Sequence, residues 1–196
     1  MFSSSFVTGF TSAGAPELTV QNVNKAGHAV GHDTEIVAGP AGSRVIDPEL
    51  TRLVHGGDVL TWIDAYSNGP TAHYAVLNPG GKVVAEGTYG SGAVGAFEAV
   101  ALPNGGFALA DGQTDLSGQH GTITFQDFNA RGLSTGEVMT VASESGHALS
   151  FADLEGAASL AGVELTWTEP SGPHSAVVEL TSPAHGHHAD PGLFLT

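Results

Sequence analysis

Short apolar runs and runs of alternating polarity follow each other along the whole chain. In the stretch from Leu102 to Gly132, an apolar run at Phe107 to Asp111 is followed by a polar, glycine-rich loop. An alternating run comes next and ends in an Asn-x-x-Gly turn. A period of two residues is typical of β-strands, and two such runs joined by a loop predict a β-hairpin.

This pattern occurs four times. The apolar runs begin at residues 6, 58, 107 and 163, which are 52, 49 and 56 residues apart. The turns begin at residues 24, 78, 129 and 182, which are 54, 51 and 53 residues apart. Two independent landmarks with one period indicate an internal repeat. We therefore predict a single all-β domain over residues 1–196, built from four repeats at approximately 1–44, 45–95, 96–146 and 147–196.

Four short strands in each repeat are the signature of propeller blades, so we predict a small four-bladed β-propeller. The C-terminal DPGLFLT (Asp190 to Thr196) is similar to DPELTRL (Asp47 to Leu53). Because the first repeat lacks its own copy of this strand, the C-terminal strand is expected to pair beside Phe6 to Phe10 and close the ring. A β-sandwich and an open repeat array are the alternatives.

The charge of the chain restricts its partners. Five basic and 20 acidic residues give a net charge of −15, which argues against binding to nucleic acid or to anionic lipid. No apolar run approaches the ~18 residues of a membrane span, so membrane insertion is not expected. The N-terminus lacks a basic region, and we predict no cleavable signal peptide. The chain has no cysteine, which excludes disulfides and thiolate chemistry.

A set of glycines, aromatic residues and polar residues marks the repeat: Gln21, Trp62, Gly105, Gly106, Phe107, Gln126, Phe128, Asn129, Gly132 and Trp167. With these residues the repeat resembles the approximately 50-residue β repeats of large extracellular bacterial proteins, adhesins and proteins with calcium-binding RTX arrays among them. The glycine- and aspartate-rich nonapeptide that binds calcium in RTX arrays is absent from this chain. The resemblance implies an extracellular, non-catalytic β module and brings no particular ligand with it.

The loops that join the apolar run to the alternating run of each repeat are the candidate binding loops. In a propeller such loops gather on one face, and carboxylates and amides with an occasional aromatic suit a glycan or a calcium ion. The alternative is that their polar residues only form turns. Trp62 and Trp167 hold equivalent positions and are expected to pack in the core. The candidate ligand-binding residues are Asp64, Tyr66, Asn68, Asp115, His120, Glu169 and His174.

Histidine is unusually frequent, with ten residues against five lysines and arginines. Five of the ten follow two equivalent turns and would meet if the ring closes. Neutral imidazoles in a cluster suit zinc, copper or nickel. No cofactor is firmly indicated, and calcium or a divalent transition metal is the candidate. The candidate metal ligands are His28, His32, His185, His187 and His188.

No nucleophile elbow, phosphate-binding loop, zinc-protease motif or dinucleotide fingerprint is present, so the chain is not expected to be an enzyme. The prediction is a binding module at an extracellular or particle surface that recognises a glycan or a surface protein, with homo-oligomers as a further expectation. A structural subunit of a spike, fibre or matrix is the first alternative. A glycoside hydrolase that uses loop carboxylates is the second.

Overall fold

The computed structural model describes residues 3–66, 69–91, 94–115, 120–145, 152–160, 162–169 and 172–180. Within these ranges the chain forms fourteen strands and no helix, which confirms the predicted all-β class. None of these residues therefore forms a helical segment that could cross a membrane.

The strands form four antiparallel sheets, and each sheet uses one continuous stretch of chain. The first sheet contains β1 (Ser3–Phe10), β2 (Pro16–Val23) and β3 (Thr34–Val37). The second contains β4 (Arg44–Arg52), β5 (Asp58–Tyr66), β6 (Gly69–Leu77) and β7 (Val83–Ser91). The third contains β8 (Val94–Ala101), β9 (Phe107–Thr114), β10 (His120–Phe128) and β11 (Met139–Ser145). The fourth contains β12 (Ala152–Ala158), β13 (Val163–Glu169) and β14 (Gly172–Val178).

The sheets pack against each other in chain order. One cluster of buried apolar residues joins the first and second sheets, and it contains Leu18 and Trp62. A second cluster, with Tyr74 and Phe107, joins the second and third sheets. A third cluster, with Phe125 and Trp167, joins the third and fourth sheets. Because the second and third sheets bury apolar residues on both faces, most of the core lies around them.

The first and fourth sheets each have one polar outer face. On β13 the exposed residues Glu164, Thr166 and Thr168 alternate with buried ones, as expected for a strand with one face in water. On the outer face of the first sheet, Glu17 lies opposite Val37 and Thr19 opposite Glu35.

Each outer sheet has three described strands instead of the four predicted for each repeat. The strand expected to close the ring, residues 190–196, lies outside the described residues. Ring closure therefore remains a prediction.

We call one end of the stack the loop end and the other the turn end. The loop end carries the β1–β2, β5–β6, β9–β10 and β13–β14 connections. Gly42 N–H donates to the Gly14 carbonyl at 3.3 Å, which joins the first of these loops to the start of the second sheet. The turn end carries the β2–β3, β6–β7 and β10–β11 turns.

Three turns at the turn end share one hydrogen-bond pattern. The Oδ1 atom of Asn24, Asn78 or Asn129 accepts two backbone N–H groups, from the second and fourth residues after it. The backbone N–H of the third residue donates to the carbonyl of the asparagine. That third residue is a glycine with positive φ in each turn, Gly27, Gly81 and Gly132. The turn chemistry is therefore the same at all three places.

Candidate functional site

At the loop end of the second sheet, a tryptophan and a histidine stack beside a buried carboxylate. The rings of Trp62 and His73 are 5.4 Å apart and nearly parallel. Trp62 Nε1 donates to the Ala38 carbonyl at 2.8 Å, which ties the second sheet to the end of the first. Burial lowers the pKa of His73, and the charge of Asp64 partly opposes that effect. The base of the β5–β6 hairpin is therefore held by packed side chains.

The fourth sheet also has a tryptophan paired with a histidine and a carboxylate two residues after the tryptophan. The rings of Trp167 and His174 are stacked 5.9 Å apart. Trp167 Nε1 donates to Glu169 Oε1 at 2.7 Å, and His174 Nε2 lies 3.4 Å from Glu169 Oε2. Glu169 therefore connects the tryptophan of β13 to the histidine of β14.

The third sheet differs, because Asp111 takes the position of the tryptophan. Asp111 is fully buried, and Gln113 Nε2 donates to its Oδ2 atom at 2.5 Å. Burial raises the pKa of Asp111 to about 6, although the hydrogen bond from Gln113 opposes the shift. Gly90 lies directly against this carboxylate, since a Cβ at residue 90 would come within 2.8 Å of Gln113 Nε2 and overlap Asp111.

The predicted loop residues fall into two groups. Asp64 and Glu169 are 6% and 5% exposed, so they lie beneath the loops, and His174 joins Glu169 there. Asp115 and His120 are exposed at the base of the β9–β10 loop, where Asp115 N–H donates to the His120 carbonyl at 2.8 Å. The Tyr66 side chain and Asn68 lie outside the described residues.

Two predicted metal ligands are described, and both lie at the turn end of the first sheet. His28 and His32 are exposed, just after the Asn24 turn. Within the described ranges no group of three potential ligands is placed to hold a metal. The remaining three, His185, His187 and His188, lie outside the described residues. The metal site stays a prediction.

The turn end contains a cleft of about 790 Å³, lined by the second, third and fourth sheets. His55 comes from the β4–β5 turn and rests on Gly105, where a Cβ would lie 2.9 Å from His55 Nε2. The exposed imidazole therefore sits on the β8–β9 turn at the edge of the cleft. The other polar lining residues are Asn104, Asp127, Asn129, Thr135 and Ser159, and the apolar ones include Pro103, Phe128, Leu160 and Leu180.

Asp127 gives the cleft its charge. It lies on the same face of β10 as Ile123 and Phe125, two residues before the turn asparagine Asn129. Its Oδ1 atom is buried and accepts no hydrogen bond from the described residues. Burial raises the pKa of Asp127 because a carboxylate loses hydration there. A ligand that donates a hydrogen bond would satisfy this oxygen.

The corresponding position of the second sheet carries an apolar residue instead. Val76 also lies two residues before a turn asparagine, Asn78, and is fully buried. Gly132 of the third-sheet turn packs against Val76. A Cβ placed at residue 132 would lie 3.3 Å from Val76 Cγ2. The third sheet has a carboxylate where the second has a core valine. Sequence reasoning missed Asp127, yet an acid at a position that holds Val76 and Leu180 in two other copies was the signal that could have identified it.

The arrangement suits a hydroxyl-rich ligand. A buried carboxylate oxygen, two amides and two hydroxyl side chains line a partly apolar cleft, and the His55 ring offers a flat surface. Comparison with known proteins adds no constraint, since the sequence matches no family model and no curated protein.

Proposed function

We propose that the protein is a non-catalytic module that binds a glycan at an extracellular or particle surface, and that the turn-end cleft holds the glycan. The observation that carries this proposal is the buried Oδ1 atom of Asp127, which lies in a cleft of about 790 Å³ and accepts no hydrogen bond from the described residues. Sugar hydroxyls are suitable donors, and apolar walls suit the C–H faces of a sugar ring.

One further observation favours the cleft over the predicted loops. Asp64 and Glu169, the carboxylates at the loop end, are buried beneath their loops. The exposed pair, Asp115 and His120, remains the loop-end candidate. Catalysis is not supported, because glycoside hydrolysis uses two carboxyl groups and Asp127 is the one acidic residue among the described residues that line the cleft.

The test combines a glycan array with two matched variants. Asp127→Val introduces the residue that the second sheet carries at this position, so it removes the hydrogen-bond acceptor while keeping an apolar packing surface. We expect the full-length protein to bind at least one arrayed glycan, and Asp127→Val to weaken that binding at least tenfold. Asp115→Asn, the control at the loop end, should bind as the wild type does.

The possible results separate the two ends. Loss of binding in Asp115→Asn with retention in Asp127→Val would move the site to the loops. Absence of binding to every arrayed glycan would contradict the glycan proposal. Release of a reducing sugar from a bound glycan would contradict the non-catalytic assignment.

We further infer that the four sheets form an open repeat array. A closed ring would bring the outer faces of the first and fourth sheets together, and these faces carry Glu17 and Glu35 on one side and Glu164 on the other. Burying carboxylates of like charge without partners is costly. Polar outer faces therefore support the array over the ring.

A structural subunit of a larger assembly is a second candidate function. The observation that favours it is the exposure of two valines on the outer faces, Val37 at 63% and Val177 at 64%. In an open array these faces are accessible to another copy. Sedimentation at increasing concentration tests this function: self-association that Val177→Thr weakens supports it, and a monomer at all concentrations contradicts it.

A further inference from the structure

The turn-end cleft holds one carboxylate and neither a lysine nor an arginine among the described residues that line it. The carboxylate belongs to Asp127, whose buried Oδ1 atom accepts no hydrogen bond from the described part of the chain. His55, the other titratable lining residue, rests on Gly105 at the edge of the cleft. A carboxylate that loses hydration without gaining a partner is destabilised, so a bound positive charge would stabilise this one.

Two asparagine side chains of the same cleft present hydrogen-bond donors. The Oδ1 atoms of Asn104 and Asn129 accept backbone N–H groups within their own turns, at 2.8 to 3.2 Å. Their amide N–H groups therefore remain as donors for a ligand. Thr135 N–H donates to the Asp127 carbonyl at 2.8 Å, which fixes the Thr135 backbone beside Asp127. The Asp127 carboxylate is thus the charged acceptor of a cleft whose amides offer donors.

The charge of the whole chain favours a cationic ligand as well. Twenty acidic and five basic residues give a net charge of −15. Such a field attracts cations and repels anions during encounter, and like charges across an interface suppress the wrong partners. Sulfated and carboxylated glycans are therefore disfavoured, and a cationic glycan is favoured over a neutral one.

We propose that the cleft selects glycans that carry free amino groups, and that Asp127 determines this specificity. The inference rests on the proposed function, because it names the class of glycan that the same cleft holds. A sugar hydroxyl would satisfy the hydrogen bonding of the Asp127 carboxylate but would leave its charge without a partner. An ammonium group satisfies both.

The rest of the amino sugar suits the other groups of the cleft. The amide N–H groups of Asn104 and Asn129 donate to hydroxyl and ring oxygens, while the apolar walls contact the C–H faces of the ring. A hydrogen bond between an ammonium group and a carboxylate is roughly twice as strong as one between neutral groups. Acetylation of the amino group removes the positive charge, and it should therefore weaken binding.

The experiment measures binding of the full chain to two matched oligomers by isothermal titration calorimetry at about pH 6.5, below the ordinary pKa of an amine. One is an oligomer of glucosamine, and the other is the same oligomer with every amino group acetylated. We expect the amino form to bind the wild type at least tenfold more tightly. This ratio of affinities does not depend on the folding of a variant.

Asp127→Asn tests whether the charge of the residue is responsible. It keeps the shape of the side chain and one acceptor oxygen but removes the negative charge. We expect it to lower the affinity for the amino form at least tenfold and the affinity for the acetylated form less than threefold. Glu164→Gln, on the outer face of β13, also removes one negative charge and should bind both oligomers as the wild type does.

A lysine oligomer with the same number of ammonium groups distinguishes a glycan from a basic peptide. It should bind at least tenfold more weakly than the glucosamine oligomer, since it lacks the hydroxyl-bearing rings that the amide donors and apolar walls contact. Tighter binding of the lysine oligomer would overturn the inference and assign the cleft to basic peptides.

The remaining outcomes separate this inference from the proposed function. Equal affinity for the two glucosamine oligomers would overturn the inference, as would equal losses in Asp127→Asn and Glu164→Gln. If Asp127→Val still weakens binding of a neutral arrayed glycan, the proposed function stands and only the class of glycan is wrong. Absence of binding to both oligomers and to every arrayed glycan would overturn the two together.

Discussion

The two ends of the sheet stack are held by different kinds of interaction. At the turn end, three turns are built alike. Each begins with an asparagine whose side chain accepts two backbone N–H groups, and each contains a glycine with positive φ. At the loop end the anchors vary: a Trp–His stack in the second sheet, a buried aspartate in the third, and a Trp–Glu–His group in the fourth.

The two ends differ because their interactions join residues at different separations in the sequence. The asparagine turns close over five residues, so each copy folds in the same way wherever it occurs. The loop-end anchors reach between strands and between sheets, as Trp62 does with Ala38, and each depends on its neighbours. The local turns are thus the same in three sheets, while the anchors and the position of Asp127 give each sheet its own chemistry.

The largest expected effect concerns the loop-end anchor of the second sheet. Trp62→Ala removes a side chain that is 3% exposed, its stacking on His73 and its hydrogen bond to Ala38. We expect the free energy of unfolding to fall by about 3–5 kcal/mol, the usual cost of truncating a buried tryptophan. Urea denaturation measures it, with His120→Ala at an exposed loop-end position as the control. A change below about 1 kcal/mol would show that Trp62 is not an anchor.

Asp111 gives the next largest effect and a pH dependence. Since burial raises its pKa to about 6, above the ordinary 3.8, the folded state retains a proton that the unfolded state loses. Its contribution to stability is therefore full below pH 3.8 and is lost as pH rises through about 6. We expect Asp111→Asn to stabilise the protein by about 1–2 kcal/mol at pH 7 and by little at pH 4.

Urea denaturation at both pH values measures this difference, with Asp115→Asn as the exposed control. Equal effects of Asp111→Asn at the two pH values would contradict the role of burial. A pH-dependent gain in Asp115→Asn would show that the effect comes from general charge repulsion instead.

The turn end predicts a smaller effect. Asn129→Ala removes the acceptor of the Arg131 and Leu133 N–H groups, at 2.8 and 3.2 Å. Because these groups are exposed to water, we expect the free energy of unfolding to fall by only about 1 kcal/mol, as measured by urea denaturation. Asn78→Ala should lower the free energy of unfolding by the same amount within error, since the Asn78 turn has the same hydrogen-bond pattern. Different changes in the free energy of unfolding for the two variants would show that the two turns are not equivalent.

The sequence predicted the features that depend on local patterns. Period-two alternation predicted the all-β class, and Asn-x-x-Gly predicted the turns after Asn24, Asn78 and Asn129. The burial of Trp62 and Trp167 is also confirmed. The start of the last strand was predicted less well. The alternating run predicts a strand from Ala176, but Glu169 pairs with Gly172, so β14 begins four residues earlier. Loop length is not encoded in strand alternation, which explains this shift.

The functional residues could not be located in the same way. Asp64 and Glu169 follow their tryptophans in sequence, but only the packing of neighbouring sheets shows that both are buried. The cleft requires turns from three sheets, which are far apart in the sequence. Such contacts depend on how the sheets stack, which period-two alternation does not determine.

The smallest expected effect decides between the open array and the closed ring. The ring requires residues 190–196 to pair beside β1, and in that case deleting Leu193 to Thr196 would lower the melting temperature by several degrees. We infer an open array because Glu17, Glu35 and Glu164 lie on the outer faces, and therefore expect a change below about 1 °C in calorimetry. Leu180→Ala, at a residue that packs against the cluster between the third and fourth sheets, is the positive control and should lower the melting temperature measurably. A drop of several degrees on deletion, with the control also lowered, would establish that the chain ends contribute to a closed ring.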